Sequence, residues 1–195
     1  MARPSRKYPG TLFMLALVAT AVFLVGPSFV FGQKAFVKFD GIDGESTDKA
    51  HLGWIDTLAY SDGLSQAASS TTKLVITRPG TSTGTSKGGL RFDDIEIVKG
   101  IDKASLPLRR IAAESRVINN AEIDFTRPVD GNIVLHIELQ NVRVTEIKME
   151  FSGDEVREAV RLAFNRVNYT YTEYDSSGKP KGEVTFSWDT QTGTR

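Results

Sequence analysis

Apolar and polar residues alternate with a period of two along most of this chain, which predicts strands rather than helices. "KAFVKF" (34–39) opens the series, and "LGWIDTLAYSDGL" (52–64) follows after an acidic loop. "LRFDDIEIVKG" (90–100) carries Phe92, then Ile95 and Ile97 after a one-residue slip; "AEIDFTR" (121–127) puts Ala121, Ile123 and Phe125 on one face. The longest run, "NIVLHIELQNVRVTEIKMEF" (132–151), changes parity twice: Ile133, Leu135, Ile137 and Leu139 give way to Val142 and Val144, and these to Ile147, Met149 and Phe151. A parity change inside an alternating run is the mark of a bulge, which bends a strand while keeping its apolar face inward. "VRLAFNRVNYTYTEY" (160–174) shows the same change across Asn165–Arg166, and a turn-rich segment then leads to Val184, Phe186 and Trp188. Long, repeatedly bulged antiparallel strands predict a compact, strongly curved β-barrel. One segment breaks the rhythm: "IDKASLPLRRIAAES" (101–115) has Asp102 or Ser105 as a cap and Leu108, Ile111 and Ala112 at helical spacing, a short helix packed at the barrel's side. "TRPGTSTGTSKGG" (77–89) is too rich in Gly, Ser and Thr for an element and reads as a loop.

The first 32 residues read differently. Arg3, Arg6 and Lys7 precede the uncharged apolar "TLFMLALVATAVFLVG" (11–26), Pro27 breaks it, and "VFG" (30–32) supplies a cleavage-like site. That order predicts a secretory signal peptide over 1–32, with an uncleaved membrane anchor as the alternative. Residues 33–195 then form a single domain, secreted or periplasmic, with the membrane involved only if the leader stays. The mature segment carries 21 basic and 24 acidic residues, about −3 overall, with no basic stripe for nucleic acid. The chain has no cysteine, which excludes thiol catalysis and cysteine-ligated metal.

The candidate chemistry is thin. "FDGIDGESTDKAH" (39–51) gathers Asp40, Asp43, Glu45, Asp48 and His51, but the calcium-loop spacing fails, with Ile42 at the third position and His51 at the twelfth. A lone histidine among carboxylates is a poor nucleus for zinc. Short loops rich in Asp, Ser and Thr tie down their own backbone, and that is the preferred reading. The Gly/Ser/Thr loop is no phosphate loop, because Thr85 and Ser86 stand where glycine and lysine are needed. His136, the other histidine, lies on the polar face of its strand and reads as exposed or interfacial. No G-x-S-x-G elbow is present. No enzyme activity, cofactor or metal is expected. Tyr174 and Trp188 are the candidate exposed aromatics.

Taken in order, "DGIDGESTDKAH…IDTLAYSDGLSQ", a Gly/Ser loop, "FDDIEIVKGIDKASLPL", "VRLAFNRVNYTYTEYD" and "GEVTFSWD" resemble the Hcp family, the haemolysin-coregulated proteins of type VI secretion, from about Ala35 to Asp189. The resemblance implies a non-enzymatic structural protein: a β-barrel with a side helix, six copies closing into a ring, rings stacking into a hollow tube, with a secreted effector or spike protein as further partners. By analogy Gly44, Glu45, Ser46, Asp48 and His51 are candidates for a subunit-interface loop, and Thr81, Gly84, Lys87 and Gly88 for a second, flexible one. The leader departs from the family, whose members are cytoplasmic before assembly and then secreted. It implies a misassigned start or an exported relative that uses the ring, or a binding module on the same fold, outside the cytoplasm.

Overall fold

The structure, a computed structural model, describes residues 32–66, 86–87 and 90–194. The leader, but for Gly32, lies outside the described residues, as do Thr81, Gly84 and Gly88. Among the described residues no helix is long and apolar enough to cross a membrane.

Among the described residues, eleven strands and one helix follow in order: β1 (Lys34–Phe39), β2 (Ile55–Ser61), β3 (Leu64–Gln66), β4 (Ser86–Lys87), β5 (Leu90–Phe92), β6 (Ile95–Gly100), α1 (Ser105–Ala113), β7 (Val117–Thr126), β8 (Ile133–Ser152), β9 (Glu155–Ala163), β10 (Arg166–Tyr174) and β11 (Pro180–Asp189). The main sheet runs β11-β10-β8-β7-β1-β2-β6-β9, and a further β8–β9 pairing closes its last six strands into an antiparallel barrel. β3, β5 and β4 make a small separate sheet. The expected mainly-β barrel with one short helix is what the chain forms.

β8 makes the closure possible. Its first half lies between β7 and β10, and its second half pairs with β9. The strand turns between these partners at two irregularities. Asn141 sits at φ 54, a left-handed conformation that Asn tolerates better than most residues. The register against β9 then slips between Val144 and Glu146. These are the two places where the apolar parity changes, so each extra residue returns the next apolar side chain to the interior. The third parity change has a different cause. At Phe164–Asn165 the chain leaves the barrel, and β9 and β10 are separate strands rather than one bulged strand. Thr190 pins this corner, its Oγ1 donating to the carbonyls of Phe164 (3.2 Å) and Asn165 (2.9 Å).

Val37, Ile55, Ile95, Ile97, Ile123, Ile137, Leu139, Val160 and Leu162 fill the barrel and are completely buried. α1 contributes Ala104, at its N-cap, and Leu108 to the same core. Neither expected cap residue is the N-cap, and Ala104 makes no side-chain cap bond, but both tie down the approach: Asp102 accepts from Ala104 N at 2.9 Å and Ser105 Oγ from Asp102 N at 3.2 Å. A buried charge cluster fixes the helix to the barrel. Lys99 Nζ, fully buried at the end of β6, lies 2.7 Å from Asp102 and 3.3 Å from Glu158 of β9, and donates to Ser105 Oγ at 3.0 Å. Arg109 of α1 completes it with a 2.6 Å bond to Glu158. Burial alone would push the Glu158 carboxyl up, but hydrogen bonds from Ser105 and Arg109 and the charge of Lys99 outweigh it and hold it below its ordinary value.

Candidate subunit-contact site

Strand register lays out one row of side chains on the outside of the barrel. Asp56 of β2, Phe36 of β1, Asp124 of β7, His136 of β8 and Thr170 of β10 are successive cross-strand partners. An outward row would normally be wet, but here the loop 43–54 folds over it. Phe36 is 2% exposed because His51 stacks on it, with ring centroids 4.2 Å apart and planes 4° from parallel. Trp54 meets the imidazole edge-on at 4.9 Å.

The loop is held by its own backbone as well. Gly44 N donates to Gly53 O (2.7 Å), Ser46 N to Trp54 O (2.9 Å) and Gly53 N to Ser46 O (2.9 Å), so its two limbs run paired. A Cβ at Gly44 would stand 2.1 Å from the carbonyl oxygen of Trp54, so only glycine fits there. Asp48 Oδ1 accepts from Ala50 N, the expected side-chain-to-backbone tie.

At the centre, both histidines of the chain share one carboxylate. Asp124, 3% exposed, places Oδ2 2.9 Å from His51 Nε2 and Oδ1 2.5 Å from His136 Nδ1. The other nitrogen of His51 lies 3.1 Å from Asp48 Oδ1. A neutral imidazole offers one donor and one acceptor, so two carboxylates are satisfied together only when both ring nitrogens carry hydrogen. The His51 hydrogen bond in turn holds the Asp48 carboxyl below its ordinary value. The His136 imidazole is pushed up, first by its hydrogen bond to Asp124 and, against the effect of burial, by the charges of Asp124 and Glu138.

The expected readings of these residues change accordingly. Gly44, Ser46 and His51 are buried, so they shape the loop and present no side chain to a neighbour. Glu45, Lys49 and Leu52 face outward, Leu52 with 76% of its surface exposed. Glu45 also accepts from the backbone N of Lys103, at the approach to α1. His136 is half-buried and bonded to Asp124 rather than free. Tyr174 and Trp188 are half-buried too, because the β10–β11 hairpin lies along β8 instead of projecting alone. Tyr174 donates its hydroxyl to Ile133 O at 2.8 Å under the guanidinium of Arg127, and Trp188 packs on the barrel core opposite Val167. Of the Gly/Ser/Thr loop only the backbones of Ser86 and Lys87, in β4, are described.

Histidine bonded to aspartate is also the vocabulary of hydrolases. Here His51 is 1% exposed and closed on both nitrogens, which leaves a substrate neither access nor a free base. Among the described residues no group of histidines and carboxylates has the arrangement of a metal site. The arrangement is a clamp that fixes a loop against the outside of a barrel. Sequence reading missed Asp124 as its centre, since its parity marks only an outward position.

Residues 36–171, from β1 into β10, match the family model "Type VI secretion system effector, Hcp". The chain belongs to the Hcp family. That family is structural, made of type VI tube proteins, and is not an enzyme family. The fold agrees. The chain superposes on Hcp1 of Salmonella typhimurium with a TM-score of 0.66 and 24% identity, over 83% of its own length and 97% of the other. A protein described only as a type six secretion system protein gives 0.69 and 22%, over 84% and 99%. A type VI secretion system effector from Yersinia pestis gives 0.63 and 24%, over 80% and 98%. No curated protein matches the chain significantly. The strand running into "DKAS" is now explained in this Hcp protein as the Lys99–Asp102–Ser105 part of the buried cluster.

The clamp predicts a pH dependence. The folded-state value of His136 lies above its unfolded one, so its contribution to stability is complete below about pH 6.5 and is lost as pH rises through the raised value. Melting temperature followed from pH 6 to 9 is expected to fall more steeply for the native chain than for His136→Gln. Parallel curves would rule the contribution out.

Proposed function

We propose that this Hcp protein is a non-enzymatic building block that associates with copies of itself, head to tail, into a closed six-membered ring able to stack into a tube. Family membership carries the reading. The physical support is a loop held rigidly by a buried clamp while its exposed residues serve no purpose in the chain's own core. Glu45, Lys49 and Leu52 are the groups of this loop that meet a neighbouring subunit, with Gly44, Ser46, Asp48 and His51 holding them in place. The second candidate loop, which includes Lys87, makes further contacts between subunits. A head-to-tail contact closes into a ring when its rotation allows and propagates along an axis when it does not, and ring and stack use both kinds. The lumen of such a ring is the natural place for a secreted effector, and its end for a spike protein. A second reading rests on the apolar leader: an exported ring that works outside the cytoplasm, unrelated to contractile secretion.

Sedimentation velocity tests the association. The native chain is expected to sediment as a discrete species several times the monomer's mass, and Leu52→Asp to shift it toward monomer without changing the melting temperature. A native chain that stays monomeric up to high micromolar concentration would refute the reading.

A further inference from the structure

The β8–β9 hairpin outruns the barrel. β6 ends at Gly100, opposite Arg157, yet the hairpin adds the rungs Phe151↔Val156 and Ser152↔Glu155 before turning at Gly153–Asp154. Its inner face begins as core, with Val160 buried, and passes Glu158, which is 1% exposed and engaged by Lys99 and Arg109. It then continues as Met149, 54% exposed, and Phe151, 74% exposed. Ile147, the first of the strand's third apolar set, still packs on the core, but Met149 and Phe151 beyond it have no cover among the described residues. Two of the hairpin's charge pairs are satisfied locally, Glu146 with Lys148 and Glu155 with Arg157. Asp154, in the turn, has no ion pair among the described residues.

A complementary surface lies beside α1. A groove of about 320 Å³ is lined by Leu106, Pro107 and Ile111 together with Arg110, Arg116 and Asp40. Leu106 is 75% exposed. Arg116 is paired with Glu114 and Asp40 with Asn120, whereas Arg110 has no ion pair among the described residues. No hairpin residue lines this groove, so the chain does not fill it with its own tip.

We propose that the β8–β9 hairpin of one copy docks on the α1 groove of the next, Phe151 seating against Leu106 and Ile111 while Asp154 pairs with Arg110. The volume admits an aromatic ring, the free charges are opposite, and the two surfaces differ, so the contact runs head to tail. This proposal rests on the self-association proposed above and names one of its contacts. An exposed aromatic buried at the centre of an interface and ringed by a charge pair is where binding energy concentrates.

The chain has no cysteine, which makes it a clean background for disulfide trapping. The full-length Phe151→Cys/Leu106→Cys variant, oxidised in solution, is expected to give a ladder of linked species on a non-reducing gel. An equimolar mixture of the two single variants should add heterodimers. Arg110→Glu should raise the concentration needed for association at least tenfold, and Asp154→Arg in the same chain should restore it. Association that persists in sedimentation without cross-linking, or without rescue, would overturn this contact and leave self-association standing. A monomer under every condition would overturn both.

Discussion

Asp124→Ala is expected to cost about 3–5 kcal/mol of folding stability, the range for removing one partner of a buried ionic pair. Its two oxygens serve His51 and His136 at once, and it is almost fully enclosed. Deleting it leaves one nitrogen of a buried imidazole with no acceptor, so the loop 43–54 is held over Phe36 by ring stacking, its own backbone and the Glu45 bond to Lys103 N. Urea unfolding measures the loss. A double-mutant cycle with His51→Ala should show strong coupling, the two losses adding to far more than the double variant suffers. A loss under about 1 kcal/mol for Asp124→Ala would mean that the clamp is ornamental.

Lys99→Met is expected to cost a comparable amount, about 3–5 kcal/mol by the same rule. Lys99 is fully buried, and its removal strands Asp102 and Glu158 beside one another with Arg109 as the only cation left. Because the cluster ties α1 to β6 and β9, the loss should appear together with faster amide exchange in α1. Lys99→Met combined with Glu158→Leu should recover part of the stability, since well-packed apolar residues replace buried ion pairs at little cost. A double variant no better than the single one would show that the apolar pair cannot fill the space.

The barrel was legible because its interior imposes a strict period of two. The parity changes at Asn141 and Val144–Glu146 mark real irregularities of β8, and they carry the information that the sheet closes. The change at Asn165 looked identical in sequence but is a corner between strands, since periodicity records the direction of a side chain and not the continuity of its strand. The clamp was less legible. His51, Asp124 and His136 lie 73 and 12 residues apart, and their meeting depends on a loop that folds back over an outward row. Nothing local in "AEIDFTR" or "IVLHIEL" tells a covered outward position from a wet one. Lys99 and Glu158 were hidden for a similar reason: each sits at an inward parity position of its strand, where a charge reads as an exception until the partners from α1 are seen. Tyr174 and Trp188, near a predicted hairpin, were expected in solvent, and the packing of β10–β11 along β8 removes them from it.

Self-association is the claim on which the functional reading stands. Negative-stain images of the purified chain test it most directly. Annular particles with a central hole and six-fold projection averages are the predicted result; a field of single barrels at concentrations well above micromolar would contradict it.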